Sequence, residues 1–329
     1  MADFVLNCNM LLAIVFLLVG FVFLVKGADI FVEGSSSIAK KFHVPSIIIG
    51  LTIVAMGTSL PEAAVSVTAS LANRNTLAVS NVVGSNIFNL MVVIGMCAVL
   101  TPVAVQKSTL KKDFPFSVFC AVLLLVLGLI GPMQLGHADG AIFLVLFALF
   151  IFSMIRSALQ ANREGKKAES EEIESVEEMK IMSLPKSLIF IVLGAAGIIV
   201  GGDVVVNSAS NIATRLGMSQ TLVGLTIVSI GTSLPELVTS VVAARKNEVD
   251  MALGNAIGSN IFNILMVLGI AGAISPMAFL TENIIDIVVL LVFSVIVWIF
   301  AWTKEKLNRR EGIGMLLLYA IYVVYICMR

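Results

Sequence analysis

Charge is scarce in this chain. Asp, Glu, Lys and Arg together make up 13 % of 329 residues, against 59 % hydrophobic ones. No soluble globular domain has that balance. Acidic and basic residues are equal in number, which leaves no basic surface for nucleic acid. The four cysteines (Cys8, Cys97, Cys120, Cys327) are scattered, with no CxxC or paired spacing, and read as small packing residues rather than metal or redox groups. Only two histidines occur, His43 and His137, both near expected loops. The segment "MADFVLNCNM" has no Lys or Arg before the first apolar run, so it lacks the basic region of a secretory signal and reads as the start of a retained first helix.

What is abundant is apolar sequence in runs of about 18 residues or more, the length that crosses a bilayer as a helix. Runs such as "IIDIVVLLVFSVIVWIFAW" lack the in/out alternation of barrel strands, so the crossings are expected to be helices. Cutting at polar and Gly/Pro-rich joints gives ten spans: 8–33, 44–71, 77–100, 114–131, 138–158, 187–212, 218–244, 251–274, 283–303 and 312–328. With both termini outside, the inner loops collect 17 of the 21 basic residues, from Lys40 and Lys41 to Arg309 and Arg310. That is the asymmetry expected of cytoplasmic loops. The longest polar stretch, 161–180, then lies in the cytoplasm. Its acidic cluster lacks the Asp/Asn spacing and central glycine of a calcium loop and reads as a solvated linker.

The chain also repeats itself at an offset of 174 residues. "GLTIVAMGTSLPE" from Gly50 returns as "GLTIVSIGTSLPE" from Gly224, and "GSNIFN" from Gly84 returns from Gly258. "GAD" at 27–29 faces "GGD" at 201–203. Identical polar hexapeptides at identical spacing indicate internal duplication. Five spans per copy is an odd number, so the second copy enters the membrane from the opposite side. The expected fold is an all-α polytopic membrane protein, ten transmembrane helices in two inverted five-helix repeats. Residues 1–160 form the first repeat, with motif region 44–100, 161–186 the linker, and 187–329 the second repeat, with motif region 218–274. Such pairs place a substrate site at their interface near the midplane.

Glu62 and Glu236 fall inside apolar spans, where an acidic group costs about 2.5 kcal/mol or more at a helix centre. Neither motif has a basic residue within its own helix to neutralise it. Thr58, Ser59 and Glu62 stand at i, i+1 and i+4 and share one helical face. Pro61, without an N–H, frees the carbonyl of Gly57 and bends the helix. Ser85 and Asn89 stand at i and i+4, and Gly84 is expected to make room for a close helix contact. Thr232, Ser233, Glu236, Ser259 and Asn263 repeat the set. All these ligands are oxygen donors, which suits a hard cation such as calcium and not zinc or copper. Two carboxylates balance one divalent ion, so an occupied site is neutral and an empty one strained, which favours exchange over leak.

With its paired "GTSLPE" and "GSNIFN" blocks, the chain resembles the calcium/cation antiporter superfamily, most of all its short prokaryotic sodium/calcium exchangers. The resemblance implies an integral, multi-pass protein of a prokaryotic inner membrane, working in the lipid bilayer with Ca2+ and Na+ as transported substrates and no cofactor. It implies a transporter rather than an enzyme, exchanging Ca2+ for Na+ by alternating access as the first and sixth helices slide over the rest. It further implies that Glu62 and Glu236 bind Ca2+ with the carbonyls of Thr58 and Thr232. Ala55, Ser59, Ser229 and Ser233 would flank them as sodium sites, with Ser85, Asn89, Ser259 and Asn263 at the centre. Some exchangers carry aspartate where this chain has Asn263, which leaves stoichiometry and potassium dependence open. A Ca2+/H+ antiporter using the same carboxylates, or a channel, are the alternatives. An intramembrane hydrolase is disfavoured by the absence of GxSxG and of a histidine within the spans.

Overall fold

A computed structural model describes residues 2–71, 78–130, 133–171, 182–217 and 229–328. A short α1 (Ala2–Asn7) leads through Asn9, whose side chain accepts from the Leu12 N–H and caps α2 (Met10–Lys41). Next come α3 (Ser46–Thr58) and α4 (Leu60–Leu71), set at 44° to each other across Ser59. The bend sits where Pro61 removes a helical donor, as its position in the sequence predicts. α5 (Ala78–Leu100), α6 (Thr109–Leu129), α7 (His137–Glu171) and α8 (Leu184–Arg215) follow. In the second motif a short turn at Ser229–Gly231 precedes α9 (Leu234–Arg245), again with proline in the first turn. The two helix breaks match: Ser59 has φ −81°, ψ 3° and Ser233 has φ −94°, ψ 5°. α10 (Val249–Ile274), α11 (Thr281–Lys304) and α12 (Arg309–Met328) complete the chain.

Eight of these helices are long and apolar enough to span a membrane, or nine if α3 and α4 count as one bent span. The seventh expected span, 218–244, begins in residues that lie outside the described ones. Residues 172–181 of the expected linker lie outside them too, and α7 carries its helix on to Glu171, well past the expected end of the fifth span.

α5 and α10 are the innermost helices, each with 78 % of its most apolar window buried. Both pass through a π turn, at Asn89–Val93 and Asn263–Val267, which inserts an extra residue and re-aims the side chains that follow. The second "GSNIFN" helix is held by close backbone approach: a Cβ on Gly258 would stand 2.8 Å from Ala55 Cβ and 2.9 Å from the Leu51 backbone. At Gly84 the repeat-related neighbours, Leu225 and the Ser229 side chain, lie outside the described residues, and among the described ones a Cβ meets nothing within 4 Å.

α2 and α8 pack together along much of their length, close enough that a Cβ on Gly201 would lie 2.5 Å from the Leu24 nitrogen. The Lys41 end of α2 is tied to the corner between α9 and α10. Lys246 reaches Asp29 Oδ1 at 2.7 Å, while Glu248 takes hydrogen bonds from Ser36 and, at 2.9 Å, from Ser46, and pairs with Lys40 at 3.4 Å. Two small antiparallel pairings join the halves elsewhere: β1 (Val103–Ala104) with β4 (Lys306–Leu307), and β2 (Gln134–Leu135) with β3 (Met277–Ala278).

Candidate cation site

The helix breaks of the two motifs face each other, and each half's hydroxyl serves the other half's carboxylate. Ser59 Oγ donates to Glu236 Oε1 at 3.2 Å and Ser233 Oγ donates to Glu62 Oε1 at 3.3 Å. All four side chains are fully buried. Glu62 Oε2 and Glu236 Oε2 have no partner. Among the described residues, neither carboxylate is paired with a Lys, Arg or His. Two buried carboxylates each served by a hydroxyl are under-compensated, which is the electrostatic signature of a place that takes up positive charge.

The other expected ligands lie on α3, α5 and α10 and in the break before α9. Thr58 is buried, its hydroxyl 3.0 Å from Asn255 Oδ1 and 3.4 Å from Ser259 Oγ. Ala55 is buried beside Gly258. Ser85 Oγ, both side-chain polar atoms of Asn89, and Asn263 Oδ1 are buried without hydrogen-bond partners. Unpaired buried polar atoms are rare in folded proteins, and several of those found here lie on the two innermost helices. Thr232 is half-buried next to Ser233. The backbone of Ser229 lies in the turn before it, and its side chain falls outside the described residues.

Sequence reasoning missed a supporting layer of asparagines. Asn255 donates to Ser240 Oγ at 2.8 Å and to the Glu236 carbonyl at 3.3 Å while its oxygen faces Thr58, so it braces both halves of the site. Asn86 and Asn260 exchange bonds, Asn86 Nδ2 donating to Asn260 O at 3.1 Å and Asn260 Nδ2 to Asn86 O at 3.2 Å. The signal was available, since Asn81/Asn255, Asn86/Asn260 and Ser66/Ser240 are identical pairs at the same 174-residue offset.

Among the described residues no cluster of three or more His, Cys, Asp or Glu side chains forms. A bundle of membrane-length helices enclosing a cage of carboxylate, hydroxyl and amide oxygens places the molecule among multi-pass cation transporters. The chain matches the "Sodium/calcium exchanger protein" family over residues 12–156 and 186–328, and it belongs to that family, as a prokaryotic member of the calcium/cation antiporter superfamily. It is 44 % identical over 271 residues to the putative antiporter CaxA of Alkalimonas amylolytica, covering 81 % of this chain and 82 % of that one. It is 34 % identical to the sodium/calcium exchanger MaX1 of Methanosarcina acetivorans, covering 94 % and 96 %. A solved structure of the sodium-calcium exchanger NCX_Mj, soaked with Na+ and Sr2+, superposes with a TM-score of 0.81 at 33 % identity, covering 96 % and 99 %. These relatives are transporters rather than enzymes.

Proposed function

We propose that the chain exchanges Ca2+ for Na+ across a prokaryotic inner membrane by alternating access. The observation that carries this reading is the reciprocal pairing of Ser59 with Glu236 and Ser233 with Glu62, which leaves one unpartnered carboxylate oxygen from each half in the same buried space. One Ca2+ neutralises both carboxylates, and so do two Na+, which lets the two ions compete for one cage. In this reading Glu62 and Glu236 bind Ca2+ with the carbonyls of Thr58 and Thr232. Ala55, Ser59, Ser229 and Ser233 serve flanking Na+ sites, and Ser85, Asn89, Ser259 and Asn263 line the centre.

The same proposal takes the topology as ten helices in two inverted repeats, 1–160 and 187–329, with both termini outside and the 161–186 linker in the cytoplasm. The repeat-related breaks at Ser59 and Ser233 and the matching π turns at Asn89 and Asn263 support it. α2 and α8, packed on each other, are the pair that slides.

Purified protein in liposomes, loaded in turn with Na+, K+ or a proton gradient, tests the reading through uptake of radioactive calcium. Uptake driven by internal Na+ alone is expected. Uptake driven by the proton gradient and indifferent to Na+ would replace the assignment with Ca2+/H+ exchange, and flux without any counter-ion would replace it with a channel.

A further inference from the structure

The two "GSNIFN" segments are identical in sequence but not in hydrogen bonding. Asn263 Nδ2 donates to Asn86 Oδ1 at 3.1 Å, whereas the repeat-related atom, Asn260 Oδ1, receives nothing and Asn89 has both side-chain atoms unpaired. Asn86 is fully engaged: its Nδ2 is held by the Asn260 carbonyl, its own carbonyl by Asn260 Nδ2, and its Oδ1 by Asn263.

A main-chain carbonyl can only accept, so the Asn260 carbonyl fixes which way the Asn86 amide points. Turning that amide over would set Oδ1 against the carbonyl and leave two buried acceptors facing each other. With its orientation set, Asn86 presents an acceptor to position 263. The side chain there must donate. Asparagine does so with Nδ2 and is left with one unpaired atom, Oδ1, which is the oxygen a cation takes. An ionised carboxylate has nothing to donate.

We propose that Asn86 is a positioning residue that locks Asn263 as a neutral ligand with its oxygen facing the cation, and so holds the charge of the site at the two carboxylates of Glu62 and Glu236. Asn89, which has no such lock, is the ligand that turns as cations exchange. The site is thus asymmetric: one central amide is preset and its repeat-related partner is adaptable. This inference rests on the cation-exchange reading above.

The test compares N86A with N260A, alone and in an N263A background. Each single variant loses bonds of the Asn86–Asn260 clasp, but only N86A unlocks Asn263. Calcium binding is followed by calorimetry on detergent-purified protein, and Na+-driven calcium uptake in liposomes. N86A is expected to weaken calcium binding about tenfold, the equivalent of one lost orienting hydrogen bond, with a raised KM and little change in kcat. N260A is expected to stay within about twofold while losing comparable thermal stability. In the N263A background the N86A effect should vanish, because nothing is left to orient. If alanine at 86 prevents folding, N86S carries the same comparison. Equal effects of N86A and N260A, or an N86A effect that persists in N263A, would reduce Asn86 to a structural clasp and overturn the proposal. Calcium binding without Na+-driven uptake in the wild type would instead remove the exchange reading and leave the lock to be judged from binding.

Discussion

Ser59 Oγ donates to Glu236 Oε1 at 3.2 Å, across 177 residues of sequence, and Ser233 returns the contact to Glu62 at 3.3 Å. Each carboxylate is therefore oriented by the opposite half of the molecule. S59A and S233A should weaken calcium binding by similar amounts, about ten- to a hundredfold each, the range expected when a hydrogen bond to a buried charged group is lost. Because the two bonds serve one shared ion, the double variant should fall short of the product of the singles. Calcium titration of the three proteins by calorimetry checks both points.

Replacing a carboxylate is the harsher change. E62Q keeps the shape and removes half of the negative charge that the cage holds. Calcium transport should fall at least about a hundredfold, since a divalent ion is then left uncompensated in low dielectric. The protein should remain folded and be at least as heat-stable, because relieving the repulsion between two buried carboxylates favours the empty state. Sodium-driven calcium uptake beside a thermal melt of the same sample decides it, and undiminished uptake would remove Glu62 from the cation site.

The duplication and the buried acids were legible because both are patterns in residue identity: an offset shared by two hexapeptides, and charge where lipid-like sequence surrounds it. The asparagine layer was equally written in the repeat but was passed over, because i, i+4 spacing draws attention to Asn89 and Asn263. Asn86 and Asn260 work across helices, through main-chain carbonyls that sequence spacing does not reveal. The π turns that begin at Asn89 and Asn263 carry no local signature in "NLMVV" or "NILMV" and arise from packing.

The close approach at Gly258 is itself testable. A methyl group on Gly258 would collide with the Leu51 backbone, which cannot move without shifting α3, so G258A should destabilise by about 1–3 kcal/mol. A thermal melt of G258A beside the wild type checks this. An unshifted melt would mean that α3 and α10 are not held at this approach.

Glu248 gives the structure a pH dependence of definite sign, outside the membrane-spanning segments. Burial alone would raise its carboxyl, but hydrogen bonds from Ser36 and Ser46 and the charge of Lys40 outweigh that and hold it below the ordinary value. A carboxyl whose ionised form is favoured by folding contributes its full stability above the unfolded pKa of about 4.3 and loses it as pH falls through the lower folded value. With Lys40 well exposed, the ion pair itself is worth no more than about 1 kcal/mol. The melting temperature should therefore be flat with respect to this group from neutral pH down to about 5 and then decline, and E248Q should remove that part of the decline. The same contacts bind α2 to the corner beside Lys246, so E248Q and K246A should also loosen α2 at its Lys41 end. Hydrogen exchange in Glu33–Lys41 would report this as faster exchange in both variants at neutral pH. Unchanged exchange there would mean that these contacts sit on the surface of α2 without holding it.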